Sequence, residues 1–443
     1  MSKQLSRQEI LSELDQILEK DGNWRAGRTF SLVYHLSDAH TQFIKDVYAK
    51  FFHHNGLNPG VFPSLKRFEA ETLDFCIDLF QGKGFAAGTM TSGGSESLMM
   101  AVKTARDYTK QKKPLVTAPE MIAAISVHPA VDKAAQYFGI KLIKVPLDAD
   151  FKMDISSVRL AINPNTIMIV GSATSYPQGV VDPIAELSQI CVEKDIWLHV
   201  DACLGGFFLP FARILGQPIP EYDFTLPGVK SISADLHKYG FAAKGASIIL
   251  YRSKELRTFQ FFVCTDWNGG LFASPSMTGT RPGGSIAAAW ATIKAIGLDG
   301  YLQIGRDMIT VTRDFRAILE RQGCEVIGSP VGPVLSFRSK EVDTFALADQ
   351  MEHRQWFMDR QQNPTSVHVM LTPNHMQALS DFEADLKESI AIVKARPELA
   401  QSGKAAMYGM VAHIPDSSQI EGFLVQYMNE RYETKASNLG GGL

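Results

Sequence analysis

The middle of the chain alternates short apolar runs with longer segments whose apolar residues recur every three or four positions. The short runs predict five strands, at 141–145, 166–171, 196–200, 231–233 and 247–250. Residues 167–170 and 248–250 are continuously apolar, which is typical of strands buried on both faces. Helical periodicity between the strands, as at 97–108 and 183–194, predicts a mainly parallel sheet with helices on both sides.

The pattern changes beyond Gly284. A long helical stretch toward Arg321 is followed by strand candidates at 324–327, 334–337 and 366–372 and by a helix at 382–395. This order predicts an α/β protein whose large parallel-sheet domain is followed by a smaller C-terminal α+β domain. The predicted division is an N-terminal helical segment at 1–60, the large domain at 61–295, the small domain at 296–430 and a flexible tail at 431–443.

The first residues are charged and predict a helix rather than a secretory signal. Ser6 and Glu9 have the spacing of a capping box, and apolar residues follow at helical spacing, namely Ile10, Leu14, Ile17 and Leu18. The chain has no uncharged apolar run long enough to cross a bilayer. We therefore expect a soluble protein of the cytoplasm.

The composition is that of a globular protein that binds neither nucleic acid nor a metal ion. The chain has 443 residues, of which 45% are hydrophobic, so it can bury a large core. A net charge of −3 gives no basic surface for nucleic acid. The five cysteines stand at no metal-ligand spacing and predict reduced thiols, with no metal site.

A glycine-rich turn precedes the helix predicted at 97–108. Gly93, Gly94 and Ser95 would leave bare N–H groups at the helix start, where the dipole favours an anion, so the turn is a candidate phosphate site. A tight turn with a serine cap is the alternative.

Two further side chains come directly after predicted strands. Asp201 could hold a pyridinium nitrogen protonated, although a helix N-cap is as consistent with the motif. Lys238 follows His237, and burial near a cation would lower its pKa and leave an amine able to form a Schiff base; a surface lysine is the alternative. Since carboxyl ends of parallel strands share one crevice, the three elements together predict a pyridoxal 5′-phosphate (PLP) site.

Longer motifs carry a resemblance to a known family. Residues 200–206 read Val-Asp-Ala-Cys-Leu-Gly-Gly, and residues 231–240 read Ser-Ile-Ser-Ala-Asp-Leu-His-Lys-Tyr-Gly. Further matches lie at 61–65, 126–135, 244–245, 260–267 and 279–284. From about Arg28 to past Met410 the chain resembles the sphingosine-1-phosphate lyase family, within the group II PLP-dependent decarboxylases. The resemblance implies the aspartate-aminotransferase-like fold, PLP-dependent fold type I.

The resemblance also implies roles for single residues around the cofactor. Lys238 would bond to PLP, Asp201 would pair with the pyridine nitrogen, and His128 would stack on the ring, where a core or capping histidine is the alternative. Gly93, Gly94 and Ser95 would hold the phosphate with help from His237. Gly279 and Thr280 would reach that phosphate from the neighbouring subunit of a homodimer.

The implied substrate is a phosphorylated long-chain base, cleaved between C2 and C3 to phosphoethanolamine and a long-chain aldehyde. Lys244 would lie near the reacting centre, and Tyr34, Asn55, Asn58 and Tyr176 would line the polar end of the substrate. Arg281 could bind substrate phosphate or form a structural salt bridge. The general base stays open among Lys238, His128, Lys244 and the substrate phosphate, with Tyr176 a candidate proton relay.

Two departures and two rivals qualify the resemblance. Gln178 stands where many relatives have histidine, and the membrane-spanning N-terminal region of eukaryotic members is missing, as in soluble bacterial forms. An amino-acid decarboxylase and a non-catalytic PLP or lipid carrier are the rival functions.

An apolar channel for the alkyl chain could use phenylalanines that otherwise belong to the core, namely Phe207, Phe208, Phe211, Phe259, Phe261 and Phe262.

Overall fold

The computed structural model describes residues 4–411 and 417–432. Its central sheet contains seven strands: β1 Ala87–Thr91, β2 Glu120–Ala124, β3 Lys141–Val145, β4 Thr166–Ser172, β5 Trp197–Asp201, β6 Val229–Ala234 and β7 Ser247–Tyr251. Their order is β1-β7-β6-β5-β4-β2-β3. Strands β3, β2, β4, β5 and β6 run parallel, while β7 is antiparallel to both of its neighbours. The five strands predicted from the sequence, β3 to β7, are confirmed.

Helices cover this sheet on both faces. The α-helices up to residue 258 are α1 Arg7–Leu18, α2 Asp38–Lys50, α3 Pro63–Leu79, α4 Gly94–Lys112, α5 Ala130–Phe138, α6 Ile155–Ala161, α7 Ile184–Lys194, α8 Leu209–Ile214 and α9 Lys254–Thr258, of which α1 stays exposed. Ile248 and Leu250 face one apolar core and Ile249 faces the other. This alternation follows from the two-residue period of a strand, and it explains why β7 is apolar throughout.

The C-terminal part forms a second layer. A long helix, α10 Gly283–Arg321, leads to an antiparallel sheet of β10 Cys324–Val326, β11 Val334–Ser339, β12 Asp359–Gln361 and β13 Ser366–Met370. Helices α11 Thr344–His353 and α12 Leu379–Ala395 pack on that sheet, followed by α13 Gly403–Val411 and α14 Ser417–Arg431. The predicted α/β class with a smaller α+β part is confirmed. A separate hairpin, β8 Phe262–Cys264 and β9 Phe272–Ser274, projects from the large domain.

Helix α10 contributes side chains to two cores. Tyr301 and Ile304 pack in the core of the large sheet, whereas Phe315 and Ile318 pack in the core of the small sheet. The helix is interrupted at Gly297, which has a left-handed φ of 59°. The predicted domain boundary between residues 295 and 296 thus lies beside this break. The side chains of α10 pass from the core of the large sheet to the core of the small sheet about one turn after Ile304. The division into domains remains a prediction.

The N-terminal segment combines a confirmed prediction with an unexpected contact. Ser6 and Glu9 form the capping box of α1, with Ser6 N–H donating to Glu9 at 2.7 Å and Glu9 N–H donating to Ser6 at 3.2 Å. Phe30, inside the segment predicted to be helical, instead lies extended against Phe357 and is buried in the small core.

The predicted flexible tail lies outside the described residues from 433 onward. No helix in the described ranges is both long and apolar enough to cross a membrane.

Candidate active site

The carboxyl ends of β4, β5 and β6 lie side by side. In the register, Asp201 at the end of β5 is opposite Ser172 of β4 on one side and Ser233 of β6 on the other. Lys238 lies in the turn that follows β6. The expectation that the aspartate and the lysine share one edge of the sheet is therefore confirmed, and ligands of open α/β sheets bind at such an edge.

The start of α4 closes this edge. Gly93 is its N-cap and supplies no side chain, so the first N–H groups of the helix keep their capacity to donate. A Cβ on Gly94 would lie 2.8 Å from Asp235 Oδ2 and 2.9 Å from Cys203 Sγ, and one on Gly93 would lie 3.3 Å from His237. The helix start thus packs directly against the turns after β5 and β6, and glycine is required at 94 for that approach.

Asp201 has one committed and one free oxygen. Its Oδ1 accepts from Cys203 N–H at 3.0 Å and from the Ser233 hydroxyl at 3.4 Å. Within the described part of the chain, Oδ2 accepts no hydrogen bond. The carboxylate is therefore fixed by a local turn and is not a helix N-cap, since the 3₁₀ helix that follows begins at Gly205, and it still has an oxygen available for a cationic ring nitrogen.

Lys238 has an anionic partner that the sequence reasoning did not foresee. Its Nζ lies 2.9 Å from Oδ2 of Asp235, which is 1% exposed. Burial alone would lower the pKa of Lys238, but the charge of Asp235, with smaller effects of Cys203 and Tyr34, raises it above the usual lysine value. The predicted lowering of this pKa by a cationic neighbour is wrong, because the nearest charge is a carboxylate.

Asp235 also joins a chain of buried hydroxyl groups. Its Oδ1 accepts from Ser247 at 2.6 Å, Ser247 lies 2.9 Å from Ser97, and Ser97 lies 2.6 Å from Thr91. The chain connects the lysine turn to α4 and to β1. His237 lies beside it, with Nδ1 accepting from Ala246 N–H at 3.1 Å, so in the neutral ring Nε2 carries the proton.

Lys244 behaves as the sequence led us to expect of Lys238. Burial and the charge of Lys238 lower its pKa below the usual lysine value. Its Nζ donates to Leu32 C=O at 2.7 Å and lies 5.0 Å from the centre of the Tyr34 ring. Tyr34 in turn packs edge-on against Tyr239. Predicted residues Tyr34 and Lys244 are thus in contact with each other beside Lys238.

Tyr176 is held by the small domain. Its hydroxyl donates to Asp359 at 2.9 Å, and its ring stacks on His368 with centroids 4.0 Å apart. Burial and the Asp359 carboxylate raise the pKa of Tyr176, so the hydroxyl keeps its proton. Burial lowers the pKa of His368 to about 4. Neither Asp359 nor His368 was singled out from the sequence.

A second cluster joins the segment after α2 to the start of α10. Asn55 donates to Thr280 at 3.2 Å and accepts from Arg281 N–H. Arg281 forms a two-point ion pair with Glu69 and donates to Gly56 C=O at 2.9 Å. These contacts favour the structural salt bridge over phosphate binding for Arg281. Asn58 accepts from Gly60 N–H in a turn.

The remaining predicted residues make fewer contacts with the residues around Lys238. His128 precedes α5 and accepts from Ala130 N–H at 3.1 Å, which is the contact of a capping histidine and leaves Nε2 for another partner. Gln178 is buried. Phe207, Phe208 and Phe211 are buried in the large core, as the alternative to a channel expected, while Phe262 is exposed on the hairpin.

Glu96 is a further residue that sequence reasoning missed. In the first turn of α4 it accepts from Ser92 N–H at 2.7 Å and from Met277 N–H at 2.7 Å. It therefore ties Met277, in the loop that precedes Gly279 and Thr280, to the first turn of α4. An acidic residue at the third helical position was a usable signal, but its partner 181 residues away was not visible in the sequence.

These residues fit PLP. The glycine-lined start of α4 suits its phosphate, Oδ2 of Asp201 suits a protonated pyridine nitrogen, and the amine of Lys238 suits its aldehyde. The side chain of Lys238 is 24% exposed, so part of it is accessible from outside the protein.

Comparison with known proteins agrees with this chemistry. The chain matches the pyridoxal-dependent decarboxylase conserved domain over residues 2–340. The solved glutamate decarboxylase of Lactobacillus brevis has the same fold, with a TM-score of 0.77 at 20% identity over 91% of this chain and 95% of that one. Fold and site thus define a PLP-dependent enzyme of fold type I.

Closer relatives narrow the class. The sphingosine-1-phosphate lyase of Oryza sativa is 43% identical over 95% of this chain and 79% of its own length. The probable sphingosine-1-phosphate lyase of Legionella pneumophila is 33% identical over 90% and 68%. The structure of the Burkholderia pseudomallei sphingosine-1-phosphate lyase matches with a TM-score of 0.89 at 33% identity, over 98% of this chain and 97% of that one. The chain belongs to the sphingosine-1-phosphate lyase family and is a PLP-dependent lyase.

Proposed function

We propose that this protein cleaves sphingosine 1-phosphate, or a related phosphorylated long-chain base, between C2 and C3. The products would be phosphoethanolamine and a long-chain aldehyde. The observation that carries the proposal is the likeness to sphingosine-1-phosphate lyases over nearly the whole chain. The likeness to glutamate decarboxylase, at 20% identity, supports the fold alone.

The cofactor and the protein would divide the work. PLP, when bound, supplies an electron sink for the electrons released as the carbon–carbon bond breaks. Lys238 would hold the cofactor, Asp201 would keep its ring nitrogen protonated through Oδ2, and Gly93, Gly94 and Ser95 would bind its phosphate. His237 borders the cradle and His128 would cover the ring.

Lys244 is our candidate for the group that takes the proton from the C3 hydroxyl. A base must lie within hydrogen-bond reach of the hydroxyl and must give up its own proton. The pKa of Lys244 is shifted downward and that of Lys238 upward, so Lys244 loses its proton more readily than Lys238 does. Tyr176 keeps its proton, so its proposed role is to orient the hydroxyl or to relay the proton. Asn55 and Asn58 would contact the polar end of the substrate.

A cavity of 460 Å³ next to the site is our candidate for the alkyl chain. It borders two residues that contact the predicted machinery, Leu32 beside Lys244 and Asp359 beside Tyr176. Its apolar walls come from the N-terminal segment and the small domain: Trp24, Val33, Phe357, Met358 and Met407. The size and the mixture of apolar walls with a few polar groups suit a small-molecule site.

The homodimer is part of the proposal. Apolar side chains of α1, Ile10, Leu11, Leu14, Ile17 and Leu18, are 45% to 58% exposed, and Trp267 on the hairpin is 54% exposed. Apolar groups exposed in this way are typical of protein interfaces. A partner subunit would then bring Gly279 and Thr280 to the neighbouring phosphate. We further propose a cytoplasmic location.

The test incubates the PLP-loaded protein with sphingosine 1-phosphate and follows both products by mass spectrometry. We expect both, and neither from Lys238→Ala, while Lys254→Ala, which alters an exposed lysine of α9, should match the wild type. A yellow protein that yields no aldehyde would refute the substrate. Release of CO₂ from an amino acid would instead support the decarboxylase, and a protein that stays colourless with PLP would support the carrier.

A further inference from the structure

We propose that Asp235 is the positioning residue of Lys238: its buried carboxylate holds Nζ at the end of β6 and keeps a proton on it whenever Nζ is not bonded to the cofactor. The inference rests on the proposed role of Lys238 only for its consequence in cofactor binding. The ion pair joins two side chains of this chain, and it can be tested in protein purified without the cofactor.

Asp235 and Lys238 form a close ion pair in a buried setting. Asp235 is 1% exposed and its Oδ2 lies 2.9 Å from Nζ, while Oδ1 is fixed by the Ser247 hydroxyl at 2.6 Å. A buried carboxylate is strongly disfavoured without a positive partner. Because Ser247 holds Oδ1, the carboxylate presents Oδ2 to the cations of the turn, and Nζ of Lys238 lies nearer to it than Nε2 of His237 does, which is 3.7 Å away.

Several titratable groups face Lys238. From its own turn these are Asp235, His237 and Lys244; from the segment after β5, Cys203; from the N-terminal segment, Tyr34; and from the loop after β4, Tyr176. Burial raises the pKa values of Cys203, Tyr34 and Tyr176, so these groups are neutral near pH 7. Burial lowers the pKa of His237. Lys244 opposes a proton on Nζ, so Asp235 is the group among these that retains it.

Two carboxylates at the ends of neighbouring strands face different partners. Asp201 keeps Oδ2 unpaired within the described residues, whereas Oδ2 of Asp235 faces the lysine. The hydroxyl chain through Ser247 and Ser97 ties Asp235 to the start of α4. Asp235 therefore links the lysine to the phosphate cradle and leaves Asp201 for the ring.

The consequence is a barrier to cofactor binding that depends on pH. To bond to an aldehyde, Nζ must first lose one proton from its ammonium form; the neutral amine then attacks the carbonyl carbon, and its two hydrogens leave with the oxygen as water. Asp235 holds the proton that must go. Attachment of PLP to the free protein should therefore accelerate about tenfold per pH unit below the pKa of Lys238.

The experiment labels the cofactor-free protein with a small amine-reactive reagent across a pH series and quantifies Lys238 by peptide mass spectrometry. Exposed Lys254 is the internal reference. In the wild type we expect the labelling midpoint of Lys238 above that of Lys254. In Asp235→Asn it should fall below that of Lys254 by about one pH unit or more, because burial then acts alone. Ser247→Ala, which keeps the carboxylate, should stay above.

A wild-type midpoint at or below that of Lys254, or an unchanged midpoint in Asp235→Asn, would overturn the proposal. If Asp235→Asn does not fold, the wild-type series and Asp235→Glu, expected to keep the midpoint above Lys254, still decide it. Added PLP should protect Lys238 from labelling. Loss of that protection would count against Lys238 as the cofactor lysine and leave the ion pair standing, so the two failures are distinguishable.

Discussion

Asp201 and Asp235 are chemically identical, and their surroundings give them different tasks. Asp201 Oδ1 is held by Cys203 N–H and Ser233, whereas both oxygens of Asp235 have a hydroxyl or an amine beside them. An acid after a strand was visible in the sequence. Which acid meets the lysine was not, because it depends on how far the turn after β6 folds back.

The first prediction concerns Asp201→Asn. An amide cannot hold the ring nitrogen protonated, so we expect turnover to fall about a hundredfold or more, as when one preorganised polar group is removed from a site. PLP should still bind, with weaker affinity. Steady-state kinetics and a PLP titration measure the two effects. A near-normal turnover would remove the proposed role.

Lys244→Gln tests the proposed base. Turnover should fall by about two to four orders of magnitude, while the PLP absorbance and affinity stay close to wild type. The base acts in its neutral form, so the wild-type rate should rise with pH through the lowered pKa of Lys244. That rise should be missing from the variant. Lys254→Gln is the matched control, and persistence of the rise in Lys244→Gln would assign it to another group.

Among the elements, the sequence predicted strands rich in β-branched and other apolar residues, including β3, which is only partly buried. It missed β1 and β2 because Gly88 and the alanines of β2 carry little strand preference. It also missed β12, whose three residues are all polar. With β12 it missed Asp359, and so could not foresee that the small domain holds Tyr176.

The start of α4 leads to the third prediction. In Gly94→Ala the new methyl group would lie 2.8 Å from Asp235 Oδ2, so the helix or the turn must shift. Overpacking of this kind costs about 1 to 3 kcal/mol of stability, and we expect PLP affinity to fall at least about tenfold because the cradle moves with the helix. Gly422→Ala in α14, with open space around it, is the control. Unchanged affinity would show that the cradle tolerates the shift.

At the scale of the whole molecule, three buried histidines make stability depend on pH. Burial lowers the pKa values of His199, His368 and His375 to about 4. The folded chain excludes protons that the unfolded chain binds below about pH 6.5, so stability is complete above that pH and is lost as the pH falls toward 4. Each histidine should cost about 2 kcal/mol between pH 6.5 and 5.

Urea unfolding at pH 7, 6 and 5 measures this loss. His199→Gln should reduce the slope of stability against pH over that range, and His53→Gln, at an exposed position, should not. Stability that is flat from pH 7 to 5 would contradict the prediction. The histidines themselves were visible in the sequence, but their burial was not, since it is set by packing between elements far apart in the chain.

Helix α10 determines where the chain can be divided into fragments. Its first half fills the core of the large sheet and its last turns fill the core of the small sheet, so no cut along it yields two intact pieces. A cut just before Val311 would separate the small sheet from the preceding turns of α10. A cut at Gly283 would separate the large domain from α10, against which α2 and α3 pack. Truncations and chimaeras of this enzyme should therefore exchange α10 together with both of its partners.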